Sequence, residues 1–107
     1  MKVHCLVFYV PETAAEAVKA AVFAAGGGRI GSYDCCCWQT AGTGQFRPLA
    51  GSAPAIGHLD TIETVPELKV ELVVDESRLP AVIAALRKAH PYETPAFFHW
   101  PVAGCET

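Results

Sequence analysis

A chain of 107 residues can bury one hydrophobic core but is too short for two independent domains. Apolar residues make up 51% of it and charged residues only 18%, below the usual share of about a quarter, so a folded protein is expected that buries part of its surface in an oligomer. The net charge of −3 provides no basic footprint for neutralising phosphates and argues against a nucleic-acid partner.

The longest apolar run, Cys5 to Val10, is far short of a membrane span, and the N-terminus lacks a charged region followed by an apolar segment and a cleavage site. A cytoplasmic protein with no membrane partner is expected. Of the five cysteines three are consecutive, Cys35 to Cys37, and no two form a C-x-x-C pair, so reduced thiols are expected rather than a disulfide framework.

Val3 to Val10 is β-branched and aromatic, ends at Pro11, and reads as a strand. Thr13 and Glu16 have the spacing of a capping box, and Ala14, Ala17, Val18, Ala21, Val22 and Ala25 recur at helical spacing until Gly26 to Gly28 stop them. Arg29 to Gln39 is the next strand candidate.

The second half repeats the first at an offset of 64 residues: Val10 matches Val74, Glu12 matches Glu76, Thr13 matches Ser77 as a cap, and Val18 matches Val82. The second helix has the stripe Leu79, Val82, Ile83 and Leu86, and Ala96 to Val102 is the last strand. Two β-α-β units in tandem predict an α+β ferredoxin-like sandwich in a single domain, residues 1–107. With helices on one face only, the other face of the sheet needs cover, and self-association supplies it. Between the halves a long inter-repeat loop, at about residues 41–66, is rich in Gly, Pro and Thr. It is the expected place for a ligand or partner, with a short extra strand possible within Ile56 to Val65.

The blocks "GGGRIGSYDCCCWQTAGTGQFRPLAGSAPAIG" and "HPYETPA" resemble, over nearly the whole chain, the PII/CutA-like inserted domain of the NIF-three-like dinuclear-metal proteins. CutA proteins also carry an H-P-Y-E segment near the C-terminus. The resemblance implies a PII/CutA-like homotrimer with a binding role. The family's metal centre lies in halves that flank the insert; this chain contains neither, so the resemblance carries over no hydrolase-like activity. A separate metal-centre protein of the same family is an implied partner. Cys35 stands where the family commonly has a histidine.

The C-terminal segment "AHPYETPAFFHW" has two readings. Pro91 forces His90 out of helical dihedrals, so the segment can simply end the second helix, with Tyr92 and Glu93 pinning the turn. Alternatively, His90 and Glu93 share one metal ion with a cysteine as third ligand. On a regular strand Cys36 would share a face with Asp34 and Trp38, and Cys35 with Cys37. Cys35 with Cys37, or Cys36 with His90 across the fold or a subunit boundary, could share an ion; Cys36 and Cys35 are the candidate thiolate ligands, and thiolate with imidazole favours a zinc or copper ion. The competing reading treats these cysteines as small hydrophobes lining the sheet.

In "GTGQFRP", Gly42 and Gly44 let backbone approach a ligand, and Arg47 suits a carboxylate or phosphate; a turn with a surface ion pair is the alternative. In PII-like domains the corresponding loop handles ligand and partner. His4 is expected to be a satisfied core or interface histidine, His58 and His99 carry no distinct signal, and Cys5 and Cys105 belong to core and tail. No catalytic motif is present. The sequence is read as a non-catalytic binding or regulatory module that holds a soft metal ion or a small anionic ligand near a subunit interface. An oligomeric scaffold without ligand and a small hydrolase sited between subunits remain alternatives.

Overall fold

The computed structural model describes residues 2–105. Its first strand, β1 (Val3–Pro11), sends Leu6, Phe8 and Val10 to one side, all fully buried, and Cys5, Val7 and Tyr9 to the other. A 3-10 turn over Glu12–Ala14 leads into α1 (Ala15–Ala24), whose Ala15, Val18 and Val22 are buried against that first side. β2 (Trp38–Phe46) and the long β3 (Glu63–Asp75) follow, then a second 3-10 turn over Glu76–Arg78, α2 (Leu79–Ala89) and β4 (Phe97–Val102). The strands form one antiparallel sheet in the order β2-β3-β1-β4. Both helices pack on one face of it, and this is the expected α+β ferredoxin-like sandwich.

The offset of 64 is kept in space, because Pro11 and Asp75 both end strands and Ala15 and Leu79 both open helices. Leu79, Val82 and Leu86 of α2 are buried and Ile83 packs at the core's margin, as the helical stripe requires. His90 ends α2 in an extended conformation (ψ 133°) that Pro91 enforces, while its N–H still donates to the Leu86 carbonyl at 2.9 Å.

Four local expectations need correction. The Thr13/Glu16 capping box does not form: the 3-10 turn displaces the helix start, and the residue before α1 is Ala14. In the second repeat the cap is Asp75 rather than Ser77, with the carboxylate accepting from the Ser77 backbone N–H at 2.9 Å and from its hydroxyl at 2.8 Å. Asp75 is accordingly held below the ordinary carboxylate pKa, first by the Ser77 side-chain hydrogen bond and then by the backbone one.

The cysteine run is not on a strand. Residues 29–37 are irregular, apart from an isolated Ile30–Tyr33 bridge, and Cys35 has φ 55°, so the alternation argued for Cys35, Cys36 and Cys37 does not apply. The segment is instead anchored where Gly28 receives it: the Cys36 N–H donates to the Gly28 carbonyl at 2.8 Å, and the Gly28 N–H to that of Val73 at 2.8 Å. Gly28 has φ 75°, and a side chain there would lie 2.7 Å from the Cys36 carbonyl.

The inter-repeat stretch is shorter than its composition suggests. β2 occupies residues through 46 and β3 starts at 63, leaving residues 47–62 as the connection. β2 is an edge strand exposed along most of its length, so it carries no apolar alternation from which to read it. No helix of the described residues is long and apolar enough to cross a membrane.

Candidate functional site

Along β3 the register sends Leu68, Val70 and Leu72 to the helices and Glu67, Lys69 and Glu71 to the open face. Glu67 pairs with Gly42 of β2 and Pro11 of β1 and is only 9% exposed. A charged group that deep needs a partner, and Tyr92 supplies one: its hydroxyl donates to Glu67 Oε2 at 2.8 Å. Gly44 makes room for the pair, since a Cβ there would overlap the Glu67 carboxylate.

The turn after α2 aims Tyr92. The Tyr92 N–H donates to His90 Nδ1 at 3.1 Å, which assigns the ring proton to Nε2, and that nitrogen donates to the Tyr9 carbonyl at 2.7 Å. His90 is 5% exposed and uses both nitrogens to staple the turn to β1. The Tyr92 ring lies 5.0 Å from the His90 ring and 5.7 Å from that of Phe46. Burial, then the hydrogen bond to Glu67 and its negative charge, push the Tyr92 phenol well above its ordinary pKa, so it stays a neutral donor. Glu93 reaches across to the inter-repeat connection, where both of its oxygens lie 3.2 Å from the Ala53 N–H.

These contacts border an open cavity of about 420 Å³ between the end of β2, residues 47–56 and the turn at 92–96. Tyr9, Phe46, Pro48, Leu49, Pro54 and Ile56 give it apolar walls, and Arg47, Glu67, Tyr92 and Glu93 bring polar groups to it. Both carboxylates already accept hydrogen bonds, whereas Arg47 enters no salt bridge among the described residues. An apolar hollow with a few convergent polar groups, one with a perturbed pKa, is the usual form of a small-molecule site.

The residues singled out in the sequence are thus divided. Arg47 and Glu93 line the cavity, Gly44 packs against its buried acid, and His90 stands behind it as a positioning residue. Gly42 faces Glu67 across the β2–β3 pair, with open space where a side chain would be. Cys35 is exposed, and the Cys36 thiol donates to the Asp34 carbonyl at 3.5 Å. His90 has no free lone pair, and no group of three or more His, Cys, Asp or Glu side chains converges among the described residues. The set Cys36, Cys35, His90 and Glu93 therefore does not fit one metal ion. Sequence reasoning passed over Glu67 and Tyr9. In "VPELKVELVV" the acids look like a solvated strand face, and only the glycines opposite hint that one of them is buried.

The family model described as "CutA1 divalent ion tolerance protein" matches residues 58–107. A GTP cyclohydrolase 1 type 2 homolog of Mycobacterium tuberculosis is 54% identical over 91 residues, which cover 85% of this chain and 24% of that protein. Its Bacillus subtilis counterpart is 43% identical over 97 residues, 91% of this chain and 26% of that protein. The chain spans about a quarter of the length of these curated relatives. A crystal structure of a Bacillus cereus protein related to NIF3 superposes with a TM-score of 0.82 at 34% identity, covering 98% of this chain and 27% of that one. CutA from Xylella fastidiosa superposes with a TM-score of 0.64 at 19% identity, over 97% of this chain and 86% of that one, a likeness of fold. The resemblance read from the sequence holds: this chain is similar to a segment that makes up about a quarter of NIF3-related proteins, and its fold is like that of CutA.

Proposed function

We propose that the domain is a non-catalytic binding module that takes a small anionic ligand into the Glu67–Tyr92 cavity, with Arg47 holding the anionic group. The observation that carries this reading is Arg47 without a salt-bridge partner at an apolar cavity whose two carboxylates are already hydrogen-bonded. A guanidinium with free donors matches a carboxylate or phosphate in a bidentate fork. Because Glu93 ties the connection to the turn through Ala53, a ligand that displaces or tightens this contact would reposition residues 47–56 for a partner to read. The rest of the NIF3-related protein, in the same or a separate chain, is the partner that the relatives' greater length suggests.

The cavity lies on the uncovered face of the sheet, where further copies of the chain would bring it close to a subunit boundary; a homotrimer is the assembly we propose. The family model's description invites a divalent ion, but the two occupied nitrogens of His90 weigh against a zinc or copper ion held there with Cys36 and Glu93.

Thermal denaturation against a panel of carboxylates, inorganic phosphate and nucleotides tests the reading. At least one anion is expected to raise the melting temperature of the wild type and to lose that effect in Arg47→Gln. An unchanged rise in the variant, or no rise with any anion, overturns it. Saturable turnover of a phosphoester that Glu93→Gln abolishes would overturn the non-catalytic part.

A further inference from the structure

At the other end of β1 from the cavity, two imidazoles face each other. His4 of β1 and His99 of β4 bring their Nδ1 atoms to 3.2 Å. The ring centroids are 5.3 Å apart with the planes inclined by 53°, so the rings meet nitrogen to nitrogen rather than stacking. His4 is buried, 7% exposed, while His99 is open to solvent. The second nitrogen of His4, Nε2, lies 3.2 Å from Glu76 Oε1 in the turn that leads into α2, and the Glu76 backbone N–H is itself held by the Lys2 carbonyl at 2.9 Å.

Glu76 decides what His4 can do. A carboxylate on Nε2 keeps the ring proton there and turns the Nδ1 lone pair toward His99, the same support that orients a metal-ligating histidine in known sites. Zinc lies about 2.0–2.1 Å from an imidazole nitrogen, so two nitrogens on a tetrahedral ion stand roughly 3.3 Å apart. The observed separation matches that bite. It also falls at the long limit of an N–H···N hydrogen bond, about 3.2 Å, so a shared proton is the competing occupant. Paired neutral imidazoles suit zinc, copper or nickel better than magnesium or calcium.

We propose that His4 and His99 form a cross-strand clamp for a divalent transition-metal ion, zinc by preference, with Glu76 as the orienting carboxylate and solvent in the open positions. The ion ties the edge strand β4 to β1 and, through Glu76, to the entry of α2. The clamp shares no residue with the cavity, so it stands apart from the anion reading. Two protein ligands hold an ion more weakly than the four of a structural zinc site, and micromolar affinity is expected.

Calorimetric titration of zinc chloride into the reduced protein, paired with melting curves, tests the clamp. One zinc ion per chain and a zinc-dependent rise in melting temperature are expected for the wild type. His99→Ala, at an exposed position, is expected to weaken zinc binding at least tenfold and to abolish the rise; Glu76→Gln weakens it by about 10- to 100-fold, and Cys36→Ser leaves it unchanged. Should His99→Ala misfold, His99→Gln takes its place. The clamp is overturned by zinc binding that is unchanged on His99 substitution, by binding lost in Cys36→Ser, or by none at about 1 mM zinc, where even a weak site would fill.

Discussion

His90 shows how a residue that looks like a ligand from its neighbours becomes structural once its hydrogen bonds are traced. Its imidazole joins the Tyr9 carbonyl to the Tyr92 N–H, so His90→Ala strands two partly buried backbone groups and leaves a cavity. A loss of about 2–4 kcal/mol is expected, visible as a lower urea midpoint. Because Tyr92 would shift with it, that variant would disturb the anion site as well, and Arg47→Gln is the cleaner probe of binding. Gly44→Ala is expected to destabilise for a different reason: the added methyl group takes the space of the Glu67 carboxylate and breaks the bond to Tyr92. The phenol also has a pH signature. Its pKa is raised in the folded state, so its contribution is complete below the unfolded value of about 10 and is lost as pH rises beyond that toward the folded value. Urea midpoints followed upward from about pH 9 should fall in the wild type, and Tyr92→Phe should lack that component.

Among the elements, those with a covered face were legible and those without were not. β1, α1 and α2 carry runs or stripes of apolar residues because each is packed into the core, β4 is marked by its aromatic run although most of it is exposed, and the offset of 64 exposed their duplication. Leu86, fully buried between α2 and the sheet, follows directly from that stripe; Leu86→Ala should cost about 2–5 kcal/mol. β2 has no covered face to mark it, so its glycines read as loop. The cysteine run was misread because a residue at φ 55° breaks an alternation that only regular strands possess. For the cavity, Arg47 was legible as an anion-suited residue beside the loop glycines and Glu93 as an acid in the turn after the second helix, but Glu67 joins them only through β3's register, a property of long-range pairing. The thiols differ accordingly. Burial, followed by the charge of Glu71, raises the pKa of Cys5 despite Lys69, whereas Cys35 is exposed on an irregular segment. Brief iodoacetamide treatment with peptide mapping should label Cys35 well before Cys5; the reverse order would contradict this placement of the run.

At the scale of the whole molecule, the uneven dressing of the sheet sets the chain's behaviour. Two helices cover one face. The other carries Trp38, Phe98 and Trp100, which are 70%, 57% and 45% exposed, around the half-buried Cys5 and Tyr9. Large aromatic groups fixed on a flat sheet cost little conformational entropy when covered, and contiguous apolar surface of this kind marks a contact face. The partly exposed charges on that face, Lys69 and Glu71, lie 3.7 Å apart and offset each other, which lessens the opposition to a second copy. Self-association through it would also bring the Glu67 side of each cavity toward a neighbour, coupling what the cavity holds to how the copies pack. Phe98 lies on β4 with its ring at 6.4 Å from that of Tyr9, edge to face, so one substitution reaches both the contact face and the cavity rim. Trp100→Lys, set two residues further along β4 and outside the cavity lining, isolates assembly. It introduces a charge that must be desolvated three times over in a trimer and only solvated in a monomer. Native mass spectrometry and sedimentation should find a trimer for the wild type and a folded monomer, with an unchanged far-ultraviolet spectrum, for Trp100→Lys. A wild type that is monomeric at tens of micromolar, or a variant that assembles as the wild type does, would move the contact face elsewhere on the molecule.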